Sequence, residues 1–337
     1  MHNTEHLAMG EITIGSLGGT IAMTRPHPGS GVTPSLTAQA LLDSIPGFVP
    51  ALPVSAHGIL QLPSASIGLG DMIDVLHWCE ARAAQGASAI VLTQGTDSIE
   101  ETAWFLDLFW THRIPLIVTG AMRTPDSAGA DGPANLQAAL QAAQAAESAG
   151  RGVLVVMNDT IHAARRVRKS DALAVQTFHS GPAGALGRMV EGSPVYFAPP
   201  LPRHTLSPPR RSDHEVALVT MTLGMGPGLL RHALSSDAFS AVVIAGFGAG
   251  HVPYWLAGLV GQYAPRRPVV VCSRCDTGPT TRATYGYAGS EIDLAKRGAW
   301  MGGWLSALKA RILIWAIQAG GAQPQAIRPI FEIHSRA

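Results

Sequence analysis

Short β-branched and aliphatic runs alternate with alanine- and leucine-rich stretches of helical period along the first half of this chain. The runs are Glu11 to Gly15, Ala89 to Thr93, Leu116 to Thr119 and Val153 to Met157, and the helical stretches include Met72 to Ala84, Glu100 to Leu108 and Ala134 to Ala146. This alternation is the pattern of a parallel sheet covered on both faces, because a strand buried on two sides stays apolar throughout while its crossover helices bury one stripe each. The expected fold is α/β, with a larger N-terminal, mainly parallel sheet domain carrying helices on both faces.

At 337 residues the chain exceeds the usual size of a single core, so a second, smaller domain is expected. Five prolines between Phe197 and Ser212 cannot continue a helix or a central strand, and mark a linker. The expected division is residues 1–197, a linker at 198–212, and a smaller C-terminal α/β domain at 213–337. Runs at Val216 to Thr220, Ala241 to Ala245 and Pro268 to Val271 predict a second parallel sheet, closed by a helix over Lys309 to Gln318.

A hydrophobic content of 47% with 14% charged residues fits an enzyme with a buried sheet and argues against disorder. The formal net charge of +1 supplies no field to draw in nucleic acid or an anionic membrane. Residues 1–10 hold no basic segment followed by an apolar stretch of signal-peptide length, and no apolar run is long enough to span a bilayer, so a cytoplasmic soluble protein is expected. Cys79, Cys272 and Cys275 are too few for a disulfide framework. The Cys272–Cys275 spacing matches half a zinc site or a redox pair, but no complementary pair of cysteines or histidines stands elsewhere; ordinary thiols near a strand end are the preferred reading, and no metal is expected.

Two threonines sit in glycine-rich turns after apolar runs: Thr20, behind Gly18 and Gly19, and Thr96, behind Gly95. A threonine at the carboxyl end of a strand, flanked by glycine, can present its hydroxyl and nearby N–H groups to one small electrophile. Such a hydroxyl needs a base or a field that stabilises its alkoxide. The chain has three lysines, Lys169, Lys296 and Lys309, and Lys169 lies beyond a strand end on the same expected sheet edge. Lys169 is therefore a candidate partner for Thr96, the alternative being a solvated member of the cluster with Arg165, Arg166 and Arg168.

Asp97 can pair with a substrate ammonium, and Asp97 or Ser98, ahead of Glu100 and Glu101, can start the helix that follows; the two roles are compatible. Ser64 can donate to a substrate carboxylate or cap a helix in the same way. The segment Thr24 to Ser35, rich in glycine and proline, reads as a surface flap over Thr20, either a mobile lid or a static connection.

Gly18-Gly-Thr-Ile21, Gly95-Thr-Asp-Ser-Ile-Glu-Glu-Thr102 and the run from Gly120 to Asn135 resemble signatures of the bacterial-type L-asparaginases. The run Gly152 to Thr160 ahead of Lys169, and Lys309-Ala-Arg311, add to a resemblance that spans nearly the whole chain in fixed order. It implies an amidohydrolase that converts asparagine to aspartate and ammonia without a cofactor, in a homo-oligomer, usually a tetramer built from dimers. Carried over by motif, Thr20 is the nucleophile that forms an acyl-enzyme, and Thr96, Asp97 and Lys169 form a second catalytic cluster. Ser64 holds the substrate α-carboxylate and Asp97 its ammonium, and Gly19 and Gly95 line the substrate. Backbone N–H groups near Thr20 and Thr96 are candidates for the oxyanion hole, and the Ala121 carbonyl orients the amide.

The chain departs from that pattern in three places. The family's flap tyrosine is absent: the first tyrosine is Tyr196, and the aligned position falls near Val32, which cannot relay a proton. His27 is the nearest candidate in the flap, where a solvated loop histidine is the ordinary case. No acid stands between Arg282 and Tyr285, where many relatives contribute a glutamate from the adjacent subunit, and Tyr285 is a candidate to supply a hydroxyl in trans. Gln94 replaces a common histidine, a change expected to alter packing behind Thr96.

Two other functions compete. Gly246 to Gly250 after an apolar run suggests nucleotide binding, although the glycine pattern is incomplete and Pro253 interrupts the helix start. A broader glutaminase-asparaginase, another small-amide hydrolase or a relative of low activity is the nearer alternative.

Overall fold

The computed structural model describes residues 10–27 and 29–336. The chain divides between Arg203 and His204 into two compact units. The first is built on an eight-stranded sheet: β1 (Ile12–Gly18), β2 (Val54–Leu62), β3 (Ala89–Thr93), β4 (Leu116–Thr119), β5 (Val153–Met157), β6 (Thr160–Ala163), β7 (Gly187–Val190) and β8 (Ser193–Tyr196). Their spatial order is β8-β7-β6-β5-β4-β3-β1-β2. Five neighbours, β2 through β5 by way of β1, run parallel, whereas β6, β7 and β8 are added antiparallel.

The change of direction has a local cause. Met157 pairs with Thr160 across a two-residue turn in which Asn158 and Asp159 hold φ of 49° and 55°. Such hairpin turns need positive φ at both central residues, and asparagine and aspartate tolerate it better than most side chains.

Helices α1 (Ala38–Asp43), α2 (Leu69–Ala84), α3 (Ile99–Phe109) and α4 (Gly132–Gln144) cover this sheet on two faces. Ile12, Ile14, Val91, Ile117 and Leu154 point to one face, where they pack with Leu41 of α1 and Leu136 and Leu140 of α4. Each such side chain is fully or almost fully buried, a contribution of about 1.5–3 kcal/mol apiece. On the opposite face Gly15 lies against Trp78 of α2 and Leu92. The mainly parallel sheet with helices on both faces is thus the architecture the apolar runs imply. The runs omit β2, whose half-exposed position at the sheet edge lets it carry Ser55, His57 and Gln61.

The second unit holds a four-stranded parallel sheet, β9 (Glu215–Thr220), β10 (Phe239–Gly246), β11 (Val269–Ser273) and β12 (Trp300–Met301), in that order. Helices α5 (Gly228–Ser235) and α6 (Tyr254–Tyr263) bury Leu230, Leu234, Leu256 and Val260 against Val242, Ile244, Val269 and Val271. The remaining helices are α7 (Glu291–Lys296), α8 (Ala307–Ala319) and α9 (Pro324–Ser335). In α8 the Ser306 hydroxyl caps the start by accepting from the Lys309 N–H at 3.3 Å. Residues 197–214 contain no helix or strand. No helix among the described residues is long and apolar enough to cross a membrane.

The glycines after β10 lack the context that phosphate binding requires. Phe247 and His251 exchange N–H···O bonds of 2.8 Å, and the Gly250 N–H is bonded to the Phe247 carbonyl, so these amides are occupied within the turn. The next helix opens only at Tyr254, leaving no helix N-terminus directly after the glycines.

Candidate active site

Thr20 and Thr96 each open a single 3-10 turn at the carboxyl end of a parallel strand, Thr20 after β1 and Thr96 after β3. These are positions whose N–H groups have no acceptor inside the turn. The strands are direct neighbours, so the two turns emerge side by side.

Their approach is closer than any side chain at Gly19 would permit. A Cβ at Gly19 would fall 1.9 Å from the Gly95 nitrogen and 2.2 Å from its Cα. Gly19 also holds φ 84° and ψ −179°, a region open essentially to glycine alone. A Cβ at Gly95 would fall 2.7 Å from the Ser64 Oγ. Gly19, Gly95 and Ser64 are therefore stacked in direct contact, which places the Thr20, Thr96 and Ser64 turns in one cluster.

Lys169 completes the Thr96 side. Its Nζ donates to the Thr96 hydroxyl at 2.9 Å and to Asp97 Oδ1 at 2.7 Å, with the lysine side chain 13% exposed and the aspartate 69% exposed. Lys169 is thus held at the Thr96 turn rather than solvated among the neighbouring arginines. Two supports fix it. Arg168–Lys169 pairs antiparallel with Phe178–His179, and the Lys169 N–H donates to Glu100 Oε2 at 2.7 Å. Glu100 is buried in the first turn of α3. In sequence it reads as an ordinary acidic residue of a helix N-terminus; its burial against Lys169 arises only in three dimensions.

Of the two residues offered for the start of α3, Ser98 is the one that precedes it, without a side-chain cap bond, while Asp97 lies one residue earlier. Ser64 caps no α-helix: Gly68 precedes α2, where the Gly68 N–H is held by Asp71 at 2.8 Å. Gln94 does more than fill space: its Nε2 donates to the Ser98 Oγ at 2.8 Å, and that hydroxyl donates to the Ser64 carbonyl at 3.1 Å. Sequence reasoning missed this link between the Ser64 and Thr96 turns.

Ala121 follows β4 and is fully buried. The preceding Gly120 lies against the Thr96 turn, since a Cβ there would meet the Gln94 carbonyl oxygen at 2.4 Å and the Thr96 methyl at 3.4 Å.

The flap is anchored at its base by a short ladder in which Met23 pairs with Pro34 and Thr24 with Thr33. Its polar groups are occupied with one another and with the 120s loop. Thr24 and Ser35 hydroxyls meet at 2.6 Å, and Arg25 donates to the Ser30 carbonyl at 2.9 Å and to Asp126 at 3.1 Å. Val32 is half-buried and His27 is exposed.

In the second unit Tyr285 is 43% exposed, and its backbone is held by Glu291, whose Oε1 accepts from the Thr284 and Tyr285 N–H groups at 2.7 Å each. Burial pushes the Glu291 carboxyl up, but these N–H donors outweigh it and leave the group below its ordinary value. A carboxyl lowered on folding stabilises the fold above its unfolded pKa, near 4.5, and loses that contribution as pH falls through the folded one. Glu291→Gln should therefore cost about 1–2 kcal/mol at neutral pH, from the loss of charge on two hydrogen bonds. Denaturant titrations at neutral and acidic pH check this: the gap between wild type and variant closes in acid, and a gap that stays constant would contradict it.

Among the described residues no group of three or more histidine, cysteine, aspartate or glutamate side chains is placed to hold a metal ion. Cys272 is buried and Cys275 exposed.

A two-unit α/β protein with paired threonine turns and a lysine-bridged Thr–Asp cluster defines a class of hydrolase-like site. Residues 11–202 match the family profile described as asparaginase, N-terminal, and residues 215–331 that of the glutaminase/asparaginase C-terminal domain. The chain belongs to the asparaginase family. It is 38% identical to a probable L-asparaginase of Deinococcus radiodurans, over 93% of this chain and 94% of that protein. A probable periplasmic L-asparaginase of Haemophilus influenzae is 33% identical over 95% of this chain and 92% of its own length. The crystal structure of a probable cytoplasmic L-asparaginase from Campylobacter jejuni superimposes with a TM-score of 0.86 at 28% identity, covering 96% of this chain and 99% of that one.

Proposed function

We propose that this protein is an L-asparagine amidohydrolase that works through a threonine acyl-enzyme. The observation that carries the reading is the Lys169 Nζ bridging Thr96 and Asp97, with the Thr20 turn pressed against the Thr96 turn through Gly19 and Gly95. The relatives, whose names describe L-asparaginases, supply the substrate class.

In the proposed cycle the Thr20 hydroxyl attacks the side-chain amide carbon. The new C–O bond forms as the hydroxyl proton is taken up, and backbone N–H groups beside Gly19 and Gly95 hold the oxyanion. That proton is delivered to the amide nitrogen as the oxyanion collapses, so the C–N bond breaks to release neutral ammonia and leaves the Thr20 ester. Water then adds to the ester with Thr96 and Lys169 managing its proton, giving aspartate and restoring Thr20. Ser64 receives the α-carboxylate, and Asp97, still open on its exposed side, the ammonium. The Ala121 carbonyl accepts from the amide nitrogen. No cofactor enters any step.

The proposal includes a homo-oligomer, dimer or tetramer, with Tyr285 of a second copy as the hydroxyl that serves Thr20. It also includes a cytoplasmic location, in line with the Campylobacter relative and unlike the Haemophilus one. Ammonia release from L-asparagine at millimolar concentration tests the function. Release from asparagine supports it, and release from glutamine alone or from neither contradicts it.

A further inference from the structure

The loop after β4 is held by two side chains that have no role in the cycle above. Asp131, immediately before α4, accepts from the Met122 N–H with both carboxylate oxygens, at 3.1 and 2.9 Å, and from the Arg123 N–H at 2.8 Å. Asn135, one turn into α4, donates from Nδ2 to the Gly120 carbonyl at 3.0 Å and to Asp131 Oδ2 at 3.0 Å. Its Oδ1 accepts from the N–H of Asn158, the first residue of the β5–β6 turn, at 2.8 Å. Both side chains are buried, Asp131 to 8% and Asn135 to 3% exposure.

The effect is to enclose Ala121. The carbonyl before it is bonded by Asn135 and the N–H groups after it, of Met122 and Arg123, by Asp131, so both of its peptide planes are fixed from α4. Asn135 reaches β5 as well, so the ends of two adjacent strands are tied to one helix N-terminus. Gly120, the first residue of this loop, abuts Gln94 and Thr96. A shift of the loop is thus a shift of one wall of the Thr96 turn.

We propose that Asn135 and Asp131 are positioning residues for amide turnover: together they aim the Ala121 carbonyl at the scissile amide and hold the 120–123 loop in register with Thr96. The proposal rests on the reading of the site as one that hydrolyses asparagine. Neither residue is among those the proposed cycle places on the substrate. Their role is to remove the freedom of a backbone acceptor whose misplacement by an ångström costs roughly 100-fold in rate. Buried amide and carboxylate groups suit this task, because a low-dielectric surround makes a fully satisfied network stiff and a broken one costly.

The test uses Asn135→Asp, which keeps the shape of the side chain but places an oxygen against the Gly120 carbonyl and Asp131. L-Aspartate, which lacks the amide N–H, serves as the second probe through its competitive inhibition. The expected result is a fall in kcat for L-asparagine of roughly 10- to 100-fold with the aspartate inhibition constant held within about twofold. Faster hydrogen exchange at the Met122 and Arg123 amides should accompany it. Should Asn135→Asp fail to fold, Asp131→Asn, which removes one acceptor oxygen from the loop, is expected to give the same split. Unchanged kcat overturns the proposal, and so does a parallel loss of turnover and aspartate binding, which is what a merely structural role would produce. A wild type that releases no ammonia from asparagine overturns the functional reading itself and this role with it; an active wild type beside an unaffected variant overturns this role alone.

Discussion

Replacing Lys169 with methionine should lower asparagine turnover by about 10²- to 10⁴-fold, the range in which a positioned proton-transfer group contributes. Methionine keeps the length and the apolar stem but removes the donor that spans Thr96 and Asp97 at 2.9 and 2.7 Å. The fold should survive, because the Lys169 backbone, not its side chain, makes the bonds to Phe178 and Glu100. Steady-state kinetics beside a thermal melt check both halves. A variant that melts like wild type and retains a tenth or more of its turnover would remove Lys169 from the chemistry.

The second large effect belongs to a residue with no side chain. Gly19→Ala should cost about 1–3 kcal/mol through backbone conformation alone, since φ 84° with ψ −179° is open essentially to glycine. The added methyl must also displace the Gly95 backbone, whose nitrogen lies 1.9 Å from where it would sit. Because the two turns separate as that contact opens, turnover should fall at least about tenfold even in the fraction that folds. Denaturant midpoints and kinetics on the folded variant measure these effects. Wild-type values for both would mean that the turns are not held by this contact.

Much of the fold was legible because its cause is local. A strand buried on both faces is mostly apolar, with only small hydroxyl side chains such as Thr13, Thr93 and Thr119 interrupting it, so β1, β3, β4, β5, β10 and β11 announce themselves. The half-buried edge β9 does so through its Val-Ala-Leu-Val centre. β2 and the antiparallel β6, β7 and β8 do not. β2 is a half-exposed edge, and the other three are four residues long, with polar members such as Arg188 and Ser193 facing out. Their pairing depends on the Asn158–Asp159 turn and on neighbours distant in sequence.

The candidate site divides along the same line. Thr20, Thr96 and their glycines can be read from strand ends and turn chemistry, and Lys169 from the scarcity of lysine. The supporting groups could not be read that way. Glu100 looks like an ordinary helix-start acid until its carboxylate is seen on the Lys169 N–H, 69 residues away in sequence. Asp131 and Asn135 carry a visible signal, two polar residues one turn apart at a helix start, but their partners lie on two other loops. Gln94 stood only as a replacement for histidine, and its bond through Ser98 to Ser64 needs the fold to exist.

The central claim is that Thr20, and not Thr96, forms the covalent intermediate. It is tested most directly by quenching the wild-type protein in acid during turnover of L-asparagine and mapping the modified peptide by mass spectrometry. An aspartyl ester on Thr20, absent from Thr20→Ala, is the predicted result. An ester on Thr96, or wild-type ammonia release by Thr20→Ala, would contradict the account.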